Sequence, residues 1–314
     1  MRGFNLEMSL SLEECLTIAM AAVLDVLILL SPNPGAARLL FALNLAIAAA
    51  VLLTAHAQSR WPRPWLQVFR DWYVIPLLIV IYLENGTLIP LVNPRVMDSL
   101  VIAADRFLFL GRDPTLLIQA IEHPALSEAL QIAYATFYFL PVALCAILYF
   151  GREGRESFHI AASTILLGFY LSYLGYYLTP VLGPRFSMEH LYDAPLTGLW
   201  TFDLLRGLLA RAEGRMLDCM PSGHALVSVL TVLLARRYAR GFFPVALAWT
   251  LLLLLSTVYL RYHYVTDLVA GIALCALVFR VGPVLAGAAV PDGVKDLCPS
   301  GAKGDDGGPP GALP

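Results

Sequence analysis

The amino-acid sequence predicts an all-α membrane protein, a polytopic helix bundle of about eight spans. Of its 314 residues, 59% are hydrophobic and only 14% are charged, and the mean hydropathy is +0.71. Soluble domains are about half apolar and roughly a quarter charged. This chain therefore lacks the polar surface that keeps a folded protein in water, and its long apolar segments predict membrane-spanning helices.

Eight apolar segments come close to the roughly 20 residues that a helix needs to cross the hydrocarbon core of a bilayer. They are 15–31, 37–56, 72–92, 126–150, 158–180, 222–239, 243–260 and 264–286. The first is taken as a retained helix, because three acidic residues and one arginine precede it and no small-residue cleavage site follows it.

Composition divides the chain into three parts. Residues 1–71 hold an N-terminal pair of spans and a cytoplasmic loop, and residues 72–290 form the membrane core. The tail, 291–314, is rich in Pro and Gly with little apolar content, and it is predicted to be disordered.

Arginines in three short loops predict the orientation of the bundle. Loops 57–71, 151–157 and 236–242 each carry two or more arginines, and with eight spans they lie on one side. An excess of basic residues in short loops marks the cytoplasmic face. The outer face then receives the connections 93–125, 181–221 and 261–263.

The connection 93–125 contains an amphipathic stretch that predicts either a plain surface helix or a lid. Its apolar residues Leu100, Val101, Phe107 and Leu108 are interleaved with the charged residues Asp98, Asp105 and Arg106.

Charge and cysteine content exclude several function classes. A net charge of −2 disfavours nucleic acid as a partner. The two lysines, Lys295 and Lys303, lie in the tail, so every cation of the membrane body is an arginine. The five cysteines have no CxxC pair and no metal-binding spacing. We predict neither a metal nor a cofactor.

One polar string, Cys219-Met-Pro-Ser-Gly-His-Ala225, opens the sixth span on the predicted outer face. Pro221 and Ser222 are favourable residues for a helix start, with Ser222 as the N-cap. The amides of Gly223 and His224 would then point outward with the positive end of the helix dipole. Such a helix start suits an anion such as phosphate.

A second string, Tyr259-Leu-Arg-Tyr-His-Tyr-Val-Thr-Asp267, joins the seventh and eighth spans. His263 and Asp267 are four residues apart and would share one face of a helix. A carboxylate that holds one imidazole nitrogen leaves the other free as a nucleophile. Arg261, and Arg185 of the third string (Thr179-Pro-Val-Leu-Gly-Pro-Arg185), supply guanidinium groups that match phosphate oxygens.

Each feature also has an ordinary structural interpretation. A histidine near a membrane interface is usually structural, Pro-Ser-Gly is a helix-start signal, and an arginine at a span end usually anchors in lipid headgroups. The combination of all of them on one predicted face favours a site. An anion-binding transporter and a catalytically inactive lipid-binding scaffold remain alternatives from other functional classes.

The strings GPR, PSGH and HxxxD, in this order on consecutive span ends, resemble the three signatures of the type 2 phosphatidic acid phosphatase superfamily. The resemblance covers roughly 72–286, a six-helix phosphatase-type core with two extra spans in front of it. More narrowly, the chain is similar to the branch that includes the fungal inositol phosphorylceramide synthases and their bacterial relatives. This narrower likeness rests on Asp71-Trp72, on Asp105 with Gly111-Arg-Asp-Pro114, and on Tyr262-His-Tyr-Val-Thr-Asp267.

The resemblance implies a metal-independent reaction through a phosphohistidine. His263 would attack phosphorus, Asp267 would orient His263, and His224 would protonate the leaving oxygen and then activate the acceptor. The substrate phosphate would be bound by Arg185, Ser222, Gly223 and Arg261.

Two positions depart from the superfamily pattern. Leu178 stands where the first signature has a lysine, and Thr257 stands where the third has an arginine. Arg261, four residues after Thr257, is expected one helical turn further along the same face. The lipid synthase branch tolerates loss of the lysine, which favours that branch.

The expected function is therefore that of a lipid phosphate phosphatase or phosphotransferase in lipid metabolism, with its active site on the extracytoplasmic face of a bacterial inner membrane. Its expected partners are a lipid phosphate substrate and the bilayer. Water and a lipid or polyol hydroxyl both remain open as acceptors. The sequence does not determine the lipid or the oligomeric state.

Overall fold

The computed structural model describes residues 9–152, 154–213 and 216–289, and within them the chain is a bundle of helices without strands. The predicted all-α fold is confirmed. The predicted disordered tail, 291–314, lies outside the described residues. The helices are α1 (Leu12–Leu30), α2 (Arg38–Arg60), α3 (Pro64–Trp72), α4 (Val74–Val92), α5 (Asp98–Leu108), α6 (Pro114–Leu117), α7 (Pro124–Ala135), α8 (Phe139–Phe150), α9 (Gly154–Leu178), α10 (Pro184–Ser187), α11 (Phe202–Glu213), α12 (Gly223–Tyr238), α13 (Phe243–Tyr259) and α14 (Val265–Ala289).

Several of these helices are long and apolar enough to cross a membrane. Four qualify singly within the described residues: Pro34–Arg60, Pro64–Val92, Gly154–Leu178 and Val265–Gly287. The chain is thus a polytopic membrane protein. The count of eight spans stays a prediction, because α1 carries three acidic residues and α12 and α13 have only 16 and 17 residues.

The predicted span 126–150 is not one straight helix. It is broken between α7 and α8, which are bent by 48°, and the pair forms a fifth candidate span if counted together. Residues Phe137 and Tyr138 lie in the break.

The three arginine-bearing loops gather at one end of the bundle. The Arg155 guanidinium lies 2.7 Å from the carboxylate of Asp71, which joins the second loop to the first. Glu156 lies near enough to Tyr238, at the end of α12, to interact electrostatically with it. His159 contacts Glu13 at 3.0 Å and so ties α1 to the same end.

Helix α12 lies at the centre of the core, in contact with α8, α9, α13 and α14. Glycines allow its first turn to approach two neighbours closely. A Cβ atom on Gly175 of α9 would stand 2.3 Å from Cδ of Pro221, and one on Gly271 of α14 would stand 2.4 Å from the carbonyl oxygen of Ser222. The start of α12 is therefore held between α9 and α14 with no space for larger residues.

Gly271→Ala is expected to destabilise the protein, because the atom it would collide with belongs to the backbone. Overpacking of this kind costs about 1–3 kcal/mol. Gly207→Ala in α11 is the matched control: its Cβ would meet nothing within 4 Å, and alanine is the better helix former by about 1 kcal/mol. Thermal unfolding in detergent should show a lower Tm for Gly271→Ala only. Equal Tm values for both variants would contradict the close packing at this point.

Candidate active site

Three separate segments form the end of the bundle opposite the arginine-bearing loops: the chain after α9, the start of α12 and the connection between α13 and α14. Backbone hydrogen bonds join them. The Arg185 amide donates to the Arg261 carbonyl at 2.7 Å, and the Ser222 amide donates to the Asp267 carbonyl at 3.0 Å. The three polar strings found in the sequence thus meet in space.

His263 lies between Asp267 and His224. Its Nδ1 is 3.4 Å from Oδ2 of Asp267, and its Nε2 is 3.3 Å from Nδ1 of His224. The expectation that His263 and Asp267 share one helix face was wrong, because α14 begins at Val265 and His263 precedes it. The pair forms nevertheless, since the Tyr264 amide donates to the same Asp267 oxygen at 3.0 Å and folds the chain back.

The imidazole of His224 is enclosed by aromatic rings. Tyr134 stacks against it with centroids 4.6 Å apart, and Phe137 lies at 4.5 Å on the bend between α7 and α8. Tyr134 also stacks on Tyr262, next to His263, at 4.1 Å. These rings restrict the orientation of His224 and couple it to the segment that carries His263.

The start of α12 has the predicted N-cap. Ser222 is buried, and its Oγ accepts a hydrogen bond from the Ala225 amide at 3.2 Å. Gly223 and His224 line the same cavity as His263 and Arg185, whereas Ser222 lies behind that surface. The helix dipole therefore opens onto the cavity at Gly223, where an anion is favoured.

Arg185 projects its guanidinium at this cavity. The group lies over the rings of Phe186 and Tyr262, at 4.4 Å and 5.0 Å. Its buried Nη1 has no hydrogen-bond partner among the residues that the structure describes. A buried donor without a partner is rare, and a phosphate oxygen would satisfy it.

Arg261 has a different environment from the one its sequence position suggested. Its guanidinium is 2.7 Å from Glu122 and lies over the ring of Tyr192 at 3.8 Å, away from the surface that lines the cavity. The expectation that it extends the helix face of Thr257 was wrong, because α13 ends at Tyr259 and Arg261 has φ 65°.

Arg206 of α11 is a cation near the site that sequence reasoning missed. Burial lowers its pKa, and repulsion from Arg185 and Arg261 acts in the same direction. Arg206 thus lies close enough to Arg185 and to Arg261 for their positive charges to repel its own. No short motif marks Arg206, because α11 belongs to the long connection 181–221.

Helix α5 fastens two of the site segments through buried carboxylates. Asp98 accepts hydrogen bonds from the amides of Leu182 (2.8 Å) and Gly183 (2.9 Å), just before Arg185. Asp105 accepts from the amide of Thr266 at 2.7 Å, at the start of α14. The amphipathic stretch is therefore a helix whose acidic residues face inward and hold the site. Its buried aspartates were visible in the sequence, but their partners were not.

A further carboxyl group, Asp218, lines the cavity. The hydroxyl of Tyr82 donates to it at 2.7 Å. Burial raises the pKa of Asp218 above its ordinary value, and the Tyr82 hydrogen bond, His263 and Arg185 act against this rise. The cavity therefore contains a carboxyl group that becomes protonated at a higher pH than an exposed aspartate does.

Potential metal ligands also meet here, although their spacing in the sequence gave no such indication. Ligand atoms of Cys219, His263 and Asp267 lie within 4.8 Å of one another. Cys219 is 43 positions away in the sequence from Tyr262, to whose carbonyl its thiol donates.

The family model of the PAP2 superfamily matches residues 99–281, more than half of the chain. The chain belongs to the PAP2 superfamily. The matched region contains Arg185, the start of α12 and the segment with His263 and Asp267, but not α1–α4. PAP2 membership supports a phosphatase-type activity on a lipid phosphate in an integral membrane protein. Comparisons with curated proteins and with solved structures found no match.

Asp218→Asn is expected to lower KM for a lipid phosphate severalfold at neutral pH, because an ionised Asp218 repels the substrate anion. As pH falls through its raised pKa, Asp218 becomes neutral in the wild type and the repulsion disappears. The ratio of wild-type to variant KM should therefore approach one at acidic pH. Titration of the substrate phosphate affects the KM of both proteins equally and therefore does not change this ratio.

Glu189→Gln, at an exposed carboxylate of the connection 181–221, is the control and should leave the ratio near one at every pH. A higher KM for Asp218→Asn across the whole pH range would mean that Asp218 binds the substrate instead.

Proposed function

We propose that the protein is a lipid phosphate phosphatase or phosphotransferase that works through a phosphohistidine on His263. The observation that carries the proposal is the row Asp267–His263–His224, with contacts of 3.4 Å and 3.3 Å at the two nitrogens of one imidazole. A carboxylate on one side and a second proton-transfer group on the other are what a histidine nucleophile requires.

In the first step, Nε2 of His263 attacks phosphorus while the bond from phosphorus to the leaving oxygen breaks. The contact between the two imidazoles opens to admit the phosphoryl group, and His224 gives its proton to the leaving oxygen. Asp267 accepts the Nδ1 proton of His263 in a hydrogen bond and stabilises the positive charge on the ring. In the second step, His224 takes a proton from the acceptor, whose oxygen attacks phosphorus and releases His263.

The phosphoryl oxygens are bound by Arg185 and by the amide of Gly223. Ser222, which lies behind the cavity surface, supports this amide by capping α12 and acts on the phosphate through the helix start and not by direct contact. Arg206 supplies positive charge in place of the missing lysine at Leu178. Arg261 contributes to the potential of the site from its ion pair with Glu122.

The acceptor is water or a hydroxyl group, because His224 would activate either in the same way. We propose that transfer of a phosphorylated headgroup between lipids, as in the inositol phosphorylceramide synthase branch, is the activity to test beside hydrolysis. The site faces the extracytoplasmic side of a bacterial inner membrane in this proposal, since the arginine-bearing loops gather at the opposite end.

His263→Ala and His224→Ala separate the nucleophile from the acid. His263→Ala should form no phosphoenzyme on any substrate. His224→Ala should lose about 10²–10⁴-fold in turnover of a lipid phosphate, the usual contribution of general acid–base catalysis. On p-nitrophenyl phosphate, whose leaving group needs little protonation, His224→Ala should retain more formation of an acid-labile, base-stable adduct.

The exposed His190 provides the control, and His190→Ala should behave as the wild type. An adduct trapped in His263→Ala would show that another residue is the nucleophile. Phosphate uptake into vesicles without hydrolysis or transfer would favour the transporter alternative, and phosphate binding without either would favour the scaffold.

Arg206→Gln is expected to raise KM for a lipid phosphate severalfold with a smaller change in kcat, since Arg206 adds positive charge near the site without lining the cavity. Arg211→Gln, at the exposed end of the same helix, controls for loss of positive charge. Steady-state kinetics in detergent micelles would measure both. Equal KM values for the two variants would exclude Arg206 from phosphate binding.

A further inference from the structure

We propose that Cys219, His263 and Asp267 form an inhibitory site for Zn²⁺ or a similar thiophilic divalent cation. The ligand atoms lie within 4.8 Å of one another, and all three residues are buried. From usual zinc–ligand bond lengths, ligands of a tetrahedral zinc ion are about 3.3–3.8 Å apart. The site therefore closes around a zinc ion with shifts of about 1 Å.

One oxygen of the Asp267 carboxylate is available to bind a cation. Its Oδ2 accepts from the Tyr264 amide and faces His263, as described above. Its Oδ1 is buried and has no hydrogen-bond partner among the described residues. Asp267 is itself 0% exposed, so this oxygen is withdrawn from bulk water. A buried carboxylate oxygen in this state is stabilised by a cation.

The thiol of Cys219 defines which cations the site prefers. Its Sγ donates weakly to the Tyr262 carbonyl at 3.4 Å, a bond that a metal–thiolate bond would replace. Sulfur and imidazole ligands select zinc and related metals over Mg²⁺ and Ca²⁺, which prefer oxygen. Cys219 and His263 both line the cavity, which provides an entry path and room for water as the fourth ligand.

Occupation of this site would stop the proposed reaction, and to that extent the inference rests on the proposed function. The thiol of Cys219 loses its proton to water when the metal binds, whereas the Nδ1 proton of the neutral His263 ring moves to Nε2, which then has no lone pair to attack phosphorus. A metal bound to Nδ1 of His263 and to Oδ1 of Asp267 then replaces the hydrogen bond between the two residues, which orients the nucleophile and stabilises its positive charge. Because a proton is released, inhibition should strengthen as pH rises.

Cobalt(II) tests the site without any need for turnover. Added to the purified wild-type protein in detergent, one equivalent of Co²⁺ should give thiolate-to-cobalt charge-transfer absorption, and Zn²⁺ should abolish it. Cys219→Ser should lose the absorption, whereas Cys275→Ser, at a buried cysteine of α14 outside the cluster, should keep it. The absence of this absorption from the wild type, or its persistence in Cys219→Ser, overturns the proposal.

Inhibition provides the second measurement. Cys219→Ser should raise the zinc concentration for half-inhibition at least about tenfold, because one of three protein ligands loses its affinity for zinc. The activity of each variant with zinc is compared with the activity of the same variant without zinc. The activity without zinc also shows whether the variant folds. If Cys219→Ser does not fold, Cys219→Ala is used in its place. An unchanged zinc sensitivity overturns the proposal. Active protein without the cobalt signal would refute the metal site alone, and a cobalt signal without phosphoenzyme would refute the proposed function alone.

Discussion

The hydrogen bond from the Ser222 amide to the Asp267 carbonyl, 3.0 Å long, joins the two segments that carry the histidines. It forms only because α14 approaches the start of α12 closely, and Gly271 makes this approach possible. The same contact fixes the distance between the N-terminus of α12 and the segment that carries His263. The N-terminus of α12 and His263, the proposed nucleophile, are thus positioned by one backbone contact, and Asp98 and Asp105 of α5 hold the surrounding segments.

Positive charge exceeds negative charge around the cavity, and this excess favours an anionic substrate. Arg261 is paired with Glu122, whereas Arg185 has a donor without a partner among the described residues and Arg206 is repelled by both other arginines. Asp218 opposes this positive potential only to the extent that it is ionised. A bound phosphate would relieve the repulsion between guanidinium groups and would satisfy the Arg185 donor at the same time.

The sequence was sufficient to predict the helical membrane fold and the meeting of the three polar strings, because hydropathy and helix-start signals are local. It did not predict the position of the Arg261 side chain. Spacing alone places Arg261 one helical turn beyond Thr257, but the chain has left the helix there, and Arg261 has a positive φ. It also missed Arg206 and Cys219, which reach the site through long-range packing of α11 and of the chain before α12. The 48° bend between α7 and α8 was also not predicted, because the apolar segment 126–150 is continuous and gives no sign of a break.

That bend explains how a membrane helix can build part of the site wall. On a straight helix the adjacent residues Phe137 and Tyr138 would point about 100° apart, but in the break both line the cavity, and Phe137 lies beside His224. His224 would take a proton equally well from water or from an alcohol, so the catalytic residues do not discriminate between acceptors. Discrimination then belongs to the aromatic wall, which decides how far water reaches and how an alcohol is oriented. That wall is built by α4, α7, the break and α9, through the aromatic residues Tyr82, Tyr134, Phe137, Tyr138, Phe169, Tyr173 and Tyr176. In the proposed reaction, the difference between a hydrolase and a transferase would depend on how these rings are arranged.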